Sequence, residues 1–111
     1  MLRMKLPSEA YIDPRKITDY LLKPLEDSDK SAFLARAGYT EENPEDLLSD
    51  IREQLLPLEA VDFGPFAFGR KYGISGRLTG PSGVTLRVKT IWAIVASTGQ
   101  TRFVTLIPNE S

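Results

Sequence analysis

The chain has 111 residues, of which 41% are hydrophobic and 26% are charged, with a formal net charge of -1. This length suits one small globular domain with its own core and is too short for two. Because the sequence has no cysteine and no histidine, disulfide frameworks, thiol catalysis, His-containing triads and the usual zinc sites are excluded. We therefore expect a single domain over residues 1–111, with no metal and no cofactor.

Charge is distributed unevenly along the chain. Residues 1–56 carry 8 Lys or Arg against 12 Asp or Glu, whereas residues 57–111 carry six against three. A basic C-terminal half can mark a surface that meets anions or nucleic acid, although six cations over this length stay well below the content of a strongly basic domain. No apolar run approaches the roughly 20 residues of a membrane span, so we expect a soluble, cytoplasmic protein with no membrane partner.

The first segments combine an alternating stretch with a helix start. Residues 2–6 are apolar at every second position, which suits either a short edge strand or an extended arm. Asp13 provides an N-cap acceptor, and Pro14 stands where a missing N–H costs nothing. We predict a first helix over residues 14–22.

Two further helices are predicted before residue 57. Asp27 or Ser28 can cap the second, and Gly38 can end it in the left-handed conformation. The third begins with Asn43 as cap and Pro44 at the first position. Its apolar positions predict a buried face, formed by Leu47, Leu48, Ile51 and Leu55.

From Pro57 onward the apolar period changes from 3.6 to 2 and glycine becomes frequent, which indicates a sheet. Four strands are predicted, near residues 59–68, 70–79, 84–96 and 101–107. Gly64-Pro65 fits either a bulge or an edge position in the first of them, and Gly80–Gly83 predicts a tight turn. The expected fold is α+β, with three N-terminal helices in residues 1–56 packed on one face of a four-stranded antiparallel meander in residues 57–111.

Alternation along the second and third predicted strands separates an apolar face, which includes Trp92, from a cationic one. The cationic face carries Lys71, Arg77, Arg87 and Lys89. The position of Arg102 stays open, because either Phe103 with Ile107 or Val104 with Leu106 points inward. Such a face is either an ordinary solvated sheet face or a phosphate-binding surface.

Segments spread over the whole chain also carry a resemblance. They are Met4–Pro7, Ile12-Asp13, Lys16–Leu22, Lys30, Phe33, Gly38-Tyr39, Leu78–Gly83, Val88–Trp92 and Arg102–Thr105. Their order and spacing resemble a bacterial domain family of unknown function. The resemblance implies a short stand-alone protein similar to the C-terminal domains of secreted polymorphic toxins.

The order of helices and sheet is also similar to the barnase, EndoU and RelE group of ribonuclease folds, an analogy of fold alone. Members of the family commonly have a His-Pro pair and a glycine before the lysine that matches Lys30. The corresponding segment here, Leu25–Asp29, is shorter and has no histidine. If that histidine is catalytic in relatives, this chain is inactive or works differently.

Two functions are compatible with these observations. The first is a small binding or accessory module with a protein partner, such as one half of a two-gene toxin and neutraliser module. The second is a metal-independent ribonuclease that binds RNA. In it, Arg77, Arg87 and Arg102 hold phosphate while Lys89 or Lys71 acts as base. The first needs no catalytic residue and accommodates the missing histidine.

Overall fold

An antiparallel sheet of five strands runs through the molecule. The computed structural model describes residues 3–24 and 30–109, and the strands keep their chain order across the sheet. They are β1 (Arg3–Lys5), β2 (Glu59–Phe66), β3 (Gly69–Thr79), β4 (Thr85–Val95) and β5 (Thr101–Pro108). The α+β class and the meander are confirmed, but the predicted count of four strands was wrong. The alternating N-terminal stretch forms an edge strand, because Arg3–Lys5 pairs with β2. Alternation over residues 2–6 does not reveal so distant a partner.

In the described part of the chain, three short helices precede β2. They are α1 (Pro14–Lys16), α2 (Ser31–Ala35) and α3 (Pro44–Asp50). Both α1 and α3 continue as π-helical turns, over Ile17–Leu21 and Ile51–Leu55. Within residues 3–24 and 30–109, no helix has the length and apolar character that crossing a bilayer requires. The predicted caps of the second helix, Asp27 and Ser28, lie outside the described residues.

The predicted cap at Asp13 is confirmed, whereas the one at Asn43 differs in its bonding. Asp13 accepts the backbone N–H of Arg15 at 3.0 Å. Asn43 occupies the N-cap position of α3 but makes no side-chain bond to the helix. Its side chain accepts from the Thr40 N–H at 2.7 Å and donates to the Gly38 carbonyl at 2.9 Å. It therefore closes the loop before the helix, a competing local bond that Asn makes readily.

The inner face of the sheet, which packs against the helices, carries the apolar positions of β3 and β4. These are Tyr72, Ile74, Leu78, Leu86, Val88 and Trp92, all buried. They share one core with Leu34, Leu47 and Ile51 of the helical half. The predicted core face of the third helix is thereby confirmed at Leu47, Ile51 and Leu55, while Leu48 is only partly buried.

Trp92 lies at the centre of this core and has no exposed surface. Its indole N–H donates to the Thr90 hydroxyl at 2.8 Å, and that hydroxyl donates to the Ile74 carbonyl at 3.3 Å. Its ring packs edge-on against Phe103, with centroids 5.3 Å apart. A buried donor without a partner would cost about 1–3 kcal/mol, so the Thr90 bond is what allows an indole at this position.

A bulge in β5 decides which of its side chains point into the core. The register shifts on β5 between the partners of Ile91 and Trp92, leaving Val104 unpaired. Phe103 is inward before the bulge and Leu106 after it, so each of the two alternatives for this strand was half right. A strict period of 2 fails here because the bulge inserts one residue.

The β3–β4 turn docks onto the end of α2. Gly38 has a φ of 92°, as predicted for a residue that ends a helix. The Ser82 N–H donates to the Ala37 carbonyl at 3.0 Å, and a Cβ on Gly80 would lie 2.2 Å from that same carbonyl oxygen. The turn thus satisfies a helix end, and the close approach requires glycine.

Tyr39, directly after this helix end, ties α2 to α3. Its hydroxyl donates to the Asp50 carboxylate at 2.6 Å. Burial raises the pKa of Tyr39, and the bond to Asp50 adds to the shift. The phenol therefore stays protonated and serves as a structural donor.

We predict that Gly80→Ala destabilises the fold by about 2–3 kcal/mol, more than Gly83→Ala, because the new methyl group overlaps the Ala37 backbone. Gly83→Ala is the matched control. Gly83 has a φ of 86° but open space around its Cβ position, so only the backbone strain of about 1 kcal/mol applies. Urea denaturation of both variants measures the difference, and equal losses would mean that the turn does not contact α2.

We also predict that Ile51→Asp prevents folding. Ile51 is fully buried, and an unpaired carboxylate there costs several kcal/mol, which is comparable to the roughly 5–15 kcal/mol stability of a domain. Circular dichroism and thermal melting of the purified variant report the outcome. A soluble variant with the melting temperature of the parent would place this residue outside the core.

Candidate functional site

The outer face of the sheet, turned away from the helices, carries the predicted cations of β3 and β4. Arg77 of β3 stands directly opposite Arg87 of β4, and Lys89 stands opposite Ser75. Lys71 lies on the same face but six residues from Arg77, roughly 20 Å along an extended strand. The four cations therefore form a close group of three and one distant member.

Arg77 and Arg87 are the notable pair in this group. Both side chains are exposed, and directly opposed side chains in an antiparallel pair have Cβ atoms about 5 Å apart. Neither guanidinium has an ion-pair or hydrogen-bond partner among residues 3–24 and 30–109. Two like charges at this spacing repel each other, so the pair is set up to accept an anionic group from outside.

Lys89 is held by an aromatic ring from the neighbouring strand. Phe63, at the β2 bulge, covers the open space above Gly73, where a Cβ would lie 2.3 Å from the ring. The Lys89 ammonium lies 4.3 Å from the centre of that ring. A cation over an aromatic face is stabilised electrostatically, so Phe63 fixes the position of this charge. Of the two alternatives that Gly64-Pro65 suggested, a bulge and an edge position, the structure shows the bulge, and it puts Phe63 there.

The bulge itself is fixed by a carboxylate. Asp62 accepts the Gly64 N–H at 2.7 Å and the Arg70 guanidinium at 2.9 and 3.1 Å. The bond from Gly64, followed by the bond from Arg70, holds the pKa of Asp62 below its usual range. Asp62 is therefore charged at neutral pH and locks the backbone turn that presents Phe63.

The remaining two predicted cations also contact rings. Lys71 lies 5.4 Å from the centre of the Phe66 ring, and Arg102 lies 5.5 Å from that of Tyr11. Arg102 is exposed on the outer face, because it pairs with Ala93 of β4. Tyr11 reaches it from a segment that runs parallel to the outer edge of β5. The structure thus places Arg102 on the same face as Lys71 but away from the Arg77 and Arg87 pair.

A groove lies beside Arg102, away from the Arg77 and Arg87 pair. We call it the β5 groove; it has a volume of about 730 Å³. Its lining includes Phe66, Phe68, Ala93, Val95, Arg102 and Lys16. Phe68 is 73% exposed. The groove therefore combines apolar and aromatic walls with two cations.

A second groove continues from it along α1. This α1 groove has a volume of about 570 Å³ and is lined by Asp13, Arg15, Lys16, Tyr20, Val104 and Thr105. Lys16 and Val104 belong to both grooves, and the Lys16 ammonium donates to the Val104 carbonyl at 3.0 Å. The two grooves therefore meet at the β5 bulge.

A lysine and two hydroxyls behind the α1 groove form a cluster that the strand pattern did not predict. The Lys30 ammonium donates to the Tyr20 hydroxyl at 3.0 Å and to the Thr105 hydroxyl at 2.9 Å. It also lies 4.8 Å from the centre of the Tyr20 ring. The three residues are far apart in the chain, and no periodicity links them. The signal that could have found them is the family resemblance, in which all three occur.

Comparison with known proteins gives two results. Residues 3–110 match the model of a family described as Domain of unknown function (DUF6883). Among solved structures, a chain of a contact-dependent growth inhibition toxin–immunity protein complex from Klebsiella pneumoniae 342 is similar, with a TM-score of 0.66 and 16% identity. The likeness covers 94% of this chain and 97% of that chain. At this identity it shows a shared fold. No curated protein matches the sequence.

We predict that Asp62→Asn weakens the β2 bulge in a pH-dependent way. A carboxylate whose pKa is lowered in the folded state stabilises the fold above its unfolded value, here 3.8. That contribution is lost as the pH falls through the folded value. The free energy of unfolding of the variant should be below that of the parent at pH 7, and the gap should shrink below pH 3.8. Urea denaturation of the parent and the variant at pH 7 and below pH 3.8 tests this. A difference in free energy of unfolding that does not change with pH would contradict it.

Proposed function

The chain belongs to the DUF6883 family of domains of unknown function, and from that premise we propose that it is a protein-binding module of the toxin and immunity type. Its partner is an acidic protein that covers the Arg77 and Arg87 end of the outer face. The observation that carries the proposal is the pair of opposed guanidinium groups without a partner in the described part of the chain.

The chemistry of this pair favours a protein partner. Arginine presents a planar fork of donors that binds a carboxylate through two parallel hydrogen bonds, and it is enriched in protein interfaces. The inner-face residues on the same strands, such as Leu78 and Leu86, are fully buried, so the backbone beneath the pair is rigid. The ordering cost of binding is therefore limited to the two arginine side chains.

The surroundings of the pair have the character of an interface rim. Thr79 and Thr85 bond to each other through their hydroxyls at 2.8 Å, and Ser75 is exposed beside Lys89. These are short polar side chains on a regular antiparallel surface. Such a surface suits a broad protein contact better than an enclosed small-molecule site, which needs a concave and mostly apolar wall.

The similar solved structure supports a protein partner at the level of fold. The neighbour is a chain of a complex between a toxin and its immunity protein. Fold similarity alone does not assign a function, so the proposal depends on the charged pair and uses the neighbour as support. We propose the same type of module for this chain, with either member of such a pair as its role.

The ribonuclease hypothesis for the outer face has weaker geometric support. A general base must lie within hydrogen-bond reach of the proton that it removes, whereas the ammonium groups of Lys71 and Lys89 lie against the rings of Phe66 and Phe63. Lys71 also lies far from the Arg77 and Arg87 pair. The outer face is therefore better suited to contact than to catalysis by these lysines.

If the partner is the neighbouring product of a two-gene module, as we propose, we predict that Arg77→Glu weakens the complex with that protein by at least about tenfold, because it replaces a favourable charge with a repulsive one. Lys23→Glu reverses one exposed cation on the helical side and is the matched control. Isothermal titration calorimetry of the parent and both variants measures the affinities. Absence of any complex with the parent, or equal weakening by both changes, would refute the proposal.

A further inference from the structure

We propose that the β5 groove and the α1 groove together bind a single-stranded polynucleotide. This site is distinct from the Arg77 and Arg87 pair, and it carries a ligand of different chemistry. The inference depends on three features of the two grooves: they are continuous, they are lined by cations, and they are also lined by aromatic rings.

The cations follow the line of the grooves. Arg102 lies in the β5 groove, Arg15 in the α1 groove, and Lys16 where the two meet. A row of cations along a groove is what tracks a phosphate backbone. The Lys16 ammonium uses one of its three donors on the Val104 carbonyl, which fixes its position and leaves donors for an anion.

Lys30 adds positive charge behind the α1 groove. Its ammonium is partly buried and donates to the hydroxyls of Tyr20 and Thr105, and both of these residues line the groove. Hydrogen bonding from an ammonium polarises each hydroxyl. Lys30 is thus a positioning residue, which orients two groove-lining hydroxyls and raises the local positive potential.

The acidic residue of the grooves is already neutralised. Asp13 lines the α1 groove, but its carboxylate accepts from the Arg15 guanidinium at 3.0 and 3.3 Å. That contact holds the pKa of Asp13 below its usual range, so its charge balances the charge of Arg15. Lys16 and Arg102 remain as the cations that a phosphate chain would meet, and Lys30 adds positive charge behind them.

Aromatic rings provide the second part of the recognition. Phe68 is largely exposed and packs edge-on against Phe66, with centroids 6.2 Å apart. Both rings line the β5 groove, and Tyr20 lines the α1 groove. Unpaired bases stack on such rings, whereas the bases of a duplex are not available. Cations and rings that line the same grooves therefore favour a single strand.

Fluorescence anisotropy with a labelled single-stranded RNA of roughly 12 nucleotides, the span of a typical single-strand site, tests the proposal. DNA of the same sequence and the RNA duplex are measured beside it. We expect binding at low salt that weakens as salt rises, with the duplex bound at least about tenfold more weakly. If RNA and DNA bind with equal affinity, the protein recognises phosphates and base faces. If RNA binds more tightly, the protein also contacts the 2′-hydroxyl.

Variants locate the site. Lys16→Gln should weaken RNA binding about tenfold and lower the salt slope by about one phosphate contact, and Phe68→Ala should weaken it by a similar factor at unchanged salt slope. The exposed ring of Phe68 makes a folding defect unexpected, and melting temperatures check both variants. The matched control is Arg77→Gln with Arg87→Gln, which removes two outer-face charges away from the grooves. Binding that falls only in this control, duplex binding as tight as single-strand binding, or no RNA binding by the parent at low salt would overturn the proposal.

Discussion

The hydrogen bond from the Trp92 indole to Thr90 is the interaction on which the rest of the structure depends. It allows the largest side chain of the sheet to lie fully inside the core, and burial of that ring fixes which face of β4 points to the helices. A slip of one residue would bring Arg87 into the core. The arrangement of cations on the outer face is therefore a consequence of how the inner face packs.

Regions with a clear period were predictable from the sequence. The β3–β4 hairpin, its turn and the bulge near Gly64 followed from alternation and from the conformational preferences of glycine and proline. The facing of β5 was not predictable, because an inserted Val104 breaks the period without any glycine or proline to mark it. Asn43 was assigned to the right position with the wrong partner, since a local loop competed for its side chain.

The candidate site also has a part that the sequence predicts and a part that it does not. Lys71, Arg77, Arg87 and Lys89 were placed on one face because strand alternation requires it, but the contact of Lys89 with the Phe63 ring depends on the β2 bulge. The contact between Lys30 and Thr105 joins residues 75 positions apart, and only tertiary packing brings them together. The segments that resemble the family thus have two roles. Gly38 and Gly80 belong to a structural junction, whereas Lys16, Tyr20 and Lys30 belong to the grooves.

The two edges of the sheet also differ in how they resist pairing with another strand. β1 pairs only with Glu59–Val61 of β2. The rest of that edge of β2 contains the bulge and then Pro65, which has no backbone N–H to donate. At the opposite edge, Tyr11 exchanges backbone hydrogen bonds with Thr101 and Phe103. At both edges, an incoming strand therefore cannot form a regular ladder of backbone hydrogen bonds. The bulge that presents Phe63 on the outer face therefore also limits edge-to-edge aggregation, so a change that straightens β2 would expose the protein to self-association.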